Sequence, residues 1–251
     1  MALTSAAGLV ALLDDSPQEI KTFALKRLDE LVDEFWAEIS ESLYKIEILH
    51  EDEKFTSNKL AALLASKVYY HLGEYDDSLH FALCAEDLFD IDSKSEFIET
   101  IIAKCIDKYT FLRVEQEAAD STNTTQVSTT PGGLSWSSPN SVTYKRLEHV
   151  VSKMFERCFD HRQFKQALGI AIETRRMDMF EKAIQLADDR ECMLRYAFRV
   201  VLTLVDSVRL RNRFLRILVD IFTSRATATD SVSICQCLVL MDDAQAAADA
   251  L

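Results

Sequence analysis

Apolar residues recur along most of this chain at steps of three and four, the period of an amphipathic α-helix, and no segment alternates convincingly as a strand would. The clearest stretch runs from Ala61 to Leu88. Ala61, Leu64, Ala65, Val68 and Leu72 share one face of a first predicted helix, and Tyr75, Ser78, Leu79, Ala82 and Phe89 share one face of a second. Gly73, in a Gly-Glu-Tyr sequence, lets the chain turn between them. Small side chains at Ser66, Ser78 and Ala85 allow two helix backbones to approach closely, and Tyr75 is expected to fill the elbow. A core role for Tyr75 implies a loss of about 3 kcal/mol in Tyr75→Ala.

The same local pattern, an aromatic residue, two polar ones, a small one and an aliphatic, returns twice. Tyr75-Asp-Asp-Ser78-Leu79 is followed by Phe164-Lys-Gln-Ala167-Leu168 and Phe180-Glu-Lys-Ala183-Ile184. Each begins a predicted helix and resembles a tetratricopeptide hairpin, so the fold class expected is all-α, a solenoid of stacked helical hairpins. Gly73, Tyr75, Ser78, Phe164, Ala167, Phe180 and Ala183 are its expected packing residues.

Elsewhere the periodicity predicts a short helix over 4–13 and then a long one. Ser16-Pro17-Gln18-Glu19 reads as a cap, a first-turn proline and a capping-box glutamate. The buried stripe expected from there is Ile20, Phe23, Ala24, Leu28, Leu31, Val32, Phe35, Trp36 and Ile39, bent near Ser40 and carried on through Leu43 and Ile46 to an exposed turn at Glu51-Asp52-Glu53. Ser93-Lys-Ser-Glu96 reads as a second capping box, leading into Phe97, Ile98, Ile101, Ile102, Cys105, Ile106, Tyr109 and Leu112. Helices are then predicted over 163–173, 177–187, 190–205, 208–223, 230–240 and from 243 onward. Asp188-Asp189, Ser207 and Asp242-Asp243 are placed as caps.

Between Asp120 and Lys145 lie 24 residues without a charge, half of them Ser or Thr. Such a stretch buries too little apolar surface to offset its ordering entropy, so it is expected to be a linker. Thr130-Pro131 and Ser138-Pro139 are minimal proline-directed phosphorylation sites within it, and Trp136 is its one bulky anchor. The organisation expected is hairpins over 1–120, a linker over 121–144 inserted between neighbouring hairpins, and further hairpins over 145–251. A chain that stops inside a predicted helix is expected to be a piece of a longer solenoid.

Composition agrees with long helices: 251 residues contain three prolines and five glycines. Six cysteines without disulfide-framework spacing, and no signal peptide or apolar span, suit a reducing compartment, the cytoplasm or nucleus. The net charge of -13 is uneven, with 26 acids and 11 bases in residues 1–120. That half repels nucleic acid and anionic membrane and suits a basic protein surface or simple solvation. Arg209, Arg213 and Arg216 share a helical face, but no aromatic or glycine-loop companions make it an RNA site.

Chemistry is sparse. Gly8, Gly73, Gly132, Gly133 and Gly169 are too dispersed to cradle phosphate, so no nucleotide cofactor is expected. His80 and Cys84 lie one turn apart but lack two further zinc ligands, and Cys235 and Cys237 point apart on a helix, so no metal is expected. The remaining class, a Cys/His hydrolase using His50, His71, His80, His149 or His161, has no recognisable setting on helical hairpins. No catalytic residue is assigned.

Six ordered blocks, DEFWAEISESLYKIEIL, ASKVYYHLGEYDDSLHFAL, EFIETIIAKCIDKYT, RLEHVVSKMFERC, KQALGIAIETRRMDMFEKAI and CQCLVLMDDAQA, carry a family resemblance. They resemble the amino-terminal region of the non-ATPase subunit 1 family, the larger base scaffold of the proteasome regulatory particle. The resemblance runs from Leu3 to the last residue except over 121–144, where the family's connection is more charged. It implies an elongated right-handed α-solenoid rod that leads into a toroid of repeats lying outside this chain. It also implies a non-catalytic scaffold in which the rod meets lid subunits, while base ATPases and ubiquitin receptors are met through the rest of the subunit. A stand-alone module gripping a peptide or ubiquitin is the alternative, although Asn and Arg, the polar ladder of such grooves, are sparse in the 61–109 hairpins.

Overall fold

The computed structural model of the chain describes residues 5–122, 142–225, 230–242 and 245. Twelve α-helices, two 3-10 turns and no strand occur among them, so the fold is all-α, as the periodicity predicts. The chain divides into two compact units, Met1–Lys153 and Met154–Leu251.

The first unit opens with α1 (Ala7–Ala11), a 3-10 turn at Leu12–Asp14, and the long α2 (Gln18–Ser40). Glu38 of α2 ties down the start of α1, its carboxylate accepting from the Ser5 hydroxyl and the Ala6 amide at 2.8 Å each. The predicted Ser16 cap does not form. Pro17 is the capping residue, without a side-chain bond, and the Ile20 and Lys21 amides donate to its carbonyl. Ala24, Leu25, Leu28, Val32 and Ile39 are buried, whereas Phe23, expected inside, is 54 % exposed. A non-helical Phe35 (φ -116°, ψ 17°) kinks α2, so no single straight-helix face describes its whole length. The chain then breaks at Glu41-Ser42 rather than bending through it, and α3 (Leu43–Glu51) follows.

Next come α4 (Asn58–Leu72) and α5 (Tyr75–Ala85), the hairpin legible in sequence. Gly73 takes φ +82°, its amide donating to the Tyr70 carbonyl at 3.1 Å while the Glu74 amide donates to Tyr69 at 3.0 Å. These bonds close the end of α4 as a left-handed C-cap does. No heavy atom lies within 4 Å of a Cβ built at Gly73, so only backbone strain opposes a side chain there. Gly73→Ala is therefore expected to lower stability by about 1 kcal/mol, measurable by urea unfolding. Midway along the hairpin the Ser66 hydroxyl donates to the Ser78 carbonyl and the Ser78 hydroxyl to the Ser66 carbonyl, each at 2.7 Å and wholly buried.

After a 3-10 turn at Glu86–Leu88 comes α6 (Glu96–Thr122), capped by the hydroxyl of Ser95, which accepts from Ile98 at 3.4 Å. Sequence spacing alone predicts Ser93 as the cap. Ile101, Cys105, Tyr109 and Leu112 form the buried side of α6, and Tyr109 stacks on Tyr144 of α7 (Val142–Asp160) at 5.8 Å. The division between the units falls inside α7. Thr130, Trp136 and Ser138 lie outside the described residues, as does most of 121–144.

In the second unit, α8 (Phe164–Glu173), α9 (Met177–Leu186), α10 (Arg190–Leu204), α11 (Val208–Arg225) and α12 (Asp230–Leu240) follow the end of α7 at short spacing, close to the predicted spans. Asp189 accepts from the Cys192 amide at 3.0 Å and the Ser207 hydroxyl from Leu210 at 3.5 Å, both acting as caps. Phe180 of α9 and Phe214 of α11 meet at 4.7 Å in the core. Asp243 and, apart from residue 245, the helix expected from 243 onward lie outside the described residues.

Candidate functional site

Hairpin elbows are the repeated geometric feature of both units. Arg162 and Arg175 each adopt φ +55°, the left-handed region that Gly73 occupies, and each is followed by one residue and then a new helix. The amide after each returns to a carbonyl five residues back: Gln163 to Cys158 at 2.7 Å and Arg176 to Ala171 at 2.9 Å, matching Glu74 to Tyr69. Arginine is not a residue type that announces this conformation, so two of the three elbows carry no glycine signal.

This register separates the predicted packing residues into two kinds. Tyr75 and Phe164 are the first residues of α5 and α8, so they sit at the elbow; Phe180 is the fourth residue of α9, one turn further in. Tyr75 is 38 % exposed, Phe164 is half-buried, and Phe180 is wholly buried. Ser78, Ala167 and Ala183 are buried. The expectation that Tyr75 fills the core is thus corrected. Its ring leans on Tyr70 at 6.0 Å and lies under the Lys104 ammonium at 5.5 Å, in contact with solvent. Tyr75→Ala should cost about 1 kcal/mol or less in thermal unfolding, because it loses a surface cation–π contact and leaves no enclosed cavity.

A set of charged groups from three helices of the first unit meets where α5 ends. Glu86 bridges Lys59 of α4 at 2.6 Å and Arg146 of α7 at 2.5 Å, and Arg146 also donates to the Cys84 thiol at 3.6 Å. Its backbone, at φ 50° and ψ -115°, lies outside every ordinary basin for a residue with a side chain. The hydrogen bond from Lys59, with the nearby Arg146 charge, holds the Glu86 carboxyl below the usual carboxylate range. A lowered folded-state pKa means that this bridge stabilises the unit above the ordinary carboxylate pKa and is lost as pH falls through the folded value. Stability measured from neutral to acid pH should therefore fall less steeply in Glu86→Gln than in the parent, starting from a lower neutral value.

Beside this bridge opens a cleft of about 350 Å³ between the end of α5, the following Phe89 and Ile91, and one face of α7. A second cleft, about 450 Å³, lies in the second unit beside Arg162, Lys165, Asp188 and Cys192. Burial raises the thiol pKa of Cys84 and Cys158 and pushes Cys105 and Cys237 up to about 12, so these four are not thiolates near neutrality. His80 Nε2 lies 4.0 Å from the Cys84 sulfur, and burial lowers the histidine's pKa. Among the described residues no three His, Cys, Asp or Glu side chains are grouped to hold a metal ion, and no helix is long and apolar enough to cross a membrane.

Residues 4–251 match the family model described as 26S proteasome subunit RPN2, N-terminal domain. The chain belongs to this family. The 26S proteasome non-ATPase regulatory subunit 1 of Drosophila melanogaster is 48 % identical over 256 residues, covering 100 % of this chain and 23 % of that relative. Homolog B of the same subunit in Arabidopsis thaliana is 39 % identical, covering 99 % of the chain and 23 % of the relative. The regulatory subunit RPN2 of Saccharomyces cerevisiae is 35 % identical, covering 97 % and 25 %. This RPN2-family chain thus spans about a quarter of the length of the curated relatives it matches. The matched region contains every hairpin described above.

Proposed function

We propose that this chain serves as a non-catalytic scaffold segment in the base of the 26S proteasome regulatory particle. Its hairpins meet lid subunits, and it supports ATP-dependent degradation of ubiquitinated proteins in the cytoplasm and nucleus. Membership of the RPN2 amino-terminal family across residues 4–251 carries this assignment. The fold supports it: stacked hairpins offer extended side-chain surfaces for partners, and four of the six thiols are held protonated by burial. Residues 1–120 and 145–251 are assigned as hairpin arrays joined by the uncharged 121–144 linker. Contacts with base ATPases and ubiquitin receptors are assigned to the parts of the relatives that this chain does not match.

Purified lid applied to the immobilised chain at moderate salt tests the assignment. Retention of the lid is expected. Retention of ubiquitin chains with no lid would transfer the function to a receptor module and remove the scaffold role from this segment.

A further inference from the structure

The cleft beside Glu86 combines an apolar floor with a cationic edge. Leu83, Phe89, Ile91 and Val150 supply the floor, and Lys145, His149 and Lys153 stand along α7 at its rim. These three recur every four residues, so they rise along the helix at intervals of about 6 Å. All three are exposed, and no ion pair involves Lys145 or Lys153 among the described residues. Arg146, the other base on this face, is already committed to Glu86 and Cys84.

The sequence around the rim makes it an electrostatic exception. Residues 1–120 hold 26 acids against 11 bases, while the bases of residues 121–153 are Lys145, Arg146 and Lys153, all at this cleft. The adjoining 121–144 stretch carries no charge, and of the two acids that line the cleft Glu86 is taken up by Lys59 and Arg146, which leaves Asp87 against Lys145 and Lys153. Two of the cleft's walls are locked together by the Lys59–Glu86–Arg146 bridge, at a backbone position that only surrounding contacts would hold. A preformed apolar cleft edged by two lysines without an ion pair among the described residues is the complement of one kind of occupant.

We propose that this cleft is a docking site for an acidic polypeptide segment of a partner protein, one bulky apolar side chain entering between Phe89, Ile91 and Val150 while flanking carboxylates pair with Lys145 and Lys153. The proposal rests on the chain being a protein-binding scaffold and adds the chemistry of one partner. Nucleic acid fits less well: the floor is aliphatic with one phenylalanine, offering no platform for successive bases.

The test is selection of a phage-displayed library of random dodecapeptides on the whole chain, with Lys145→Glu/Lys153→Glu as the comparison protein. Enriched peptides should carry Asp and Glu around a Leu, Ile or Phe, and should bind the double variant about tenfold more weakly, with the difference shrinking in high salt. Both lysines are exposed, so the variant's melting curve should match the parent's; if it does not, His149→Glu is measured in its place. No enrichment, or peptides that bind parent and variant equally, would overturn the proposal. So would tighter binding of a mixed-sequence single-stranded RNA that the same substitutions abolish. Failure here with lid retention intact rejects this cleft alone, whereas loss of lid retention with the peptide selection intact rejects the lid assignment alone.

Discussion

Phe180→Ala is expected to destabilise the chain by about 4 kcal/mol, measured by urea unfolding followed by circular dichroism. Phe180 is wholly buried on α9, and its ring packs at 4.7 Å against Phe214 of α11, itself wholly buried. Removing it takes away an aromatic pair as well as a large apolar volume. The site is hemmed by helices α9 and α11, so it can collapse only partly. The contrast with Tyr75→Ala makes the prediction specific. Both aromatics belong to the same five-residue sequence pattern, yet one turn of helix separates their positions relative to the elbow, and the expected losses differ by about threefold or more. Equal losses at the two positions would mean that elbow register does not govern burial in this repeat.

Ser78→Leu is the second large effect, with an expected loss of about 3 kcal/mol in the same measurement. Ser78 and Ser66 are both wholly buried, and each hydroxyl donates to the other's backbone carbonyl at 2.7 Å across the α4–α5 hairpin. Leucine would break one of the two bonds and force apart helices whose backbones meet through the smallest polar side chains available. Ser66→Ala, which keeps the close approach and removes one hydroxyl, should cost about 1 kcal/mol. The ordering of the two variants separates the steric contribution from the hydrogen bond. If Ser66→Ala proved as damaging as Ser78→Leu, polar satisfaction rather than close packing would dominate the hairpin.

Local signals carried the helices well. The spans of α8 to α12, the caps at Asp189 and Ser207, and the turn at Gly73 all follow from side-chain period and capping chemistry, which act over a few residues. What could not be read locally is equally definite. Pro17, rather than Ser16, is the capping residue of α2, because the chain enters that helix in an extended conformation at the proline, which leaves the serine outside. Phe23 faces outward and Leu25 inward, since which side of a helix is covered depends on neighbours far along the chain. Arg162 and Arg175 hold left-handed elbows through hydrogen bonds at the ends of helices, with no glycine to mark them. The Glu86–Arg146 arm of the Lys59–Glu86–Arg146 bridge joins positions 60 residues apart, and nothing in the spacing of charges points to it. The candidate cleft was invisible for the same reason: its floor and its rim come from segments on either side of α6.

The family's identity was more accessible than its surfaces, because many ordered blocks of helix-forming residues identify a lineage without saying which faces meet a partner. The scaffold assignment is therefore best tested on an assembled particle. Cross-linking mass spectrometry should be applied to regulatory particle that contains the full-length subunit, with amine-reactive reagent directed at the lysines of this segment. Lys26, Lys145 and Lys153, exposed on the first unit, are expected to link to lid subunits. Links confined to the ATPases or to ubiquitin, with none to the lid, would contradict it.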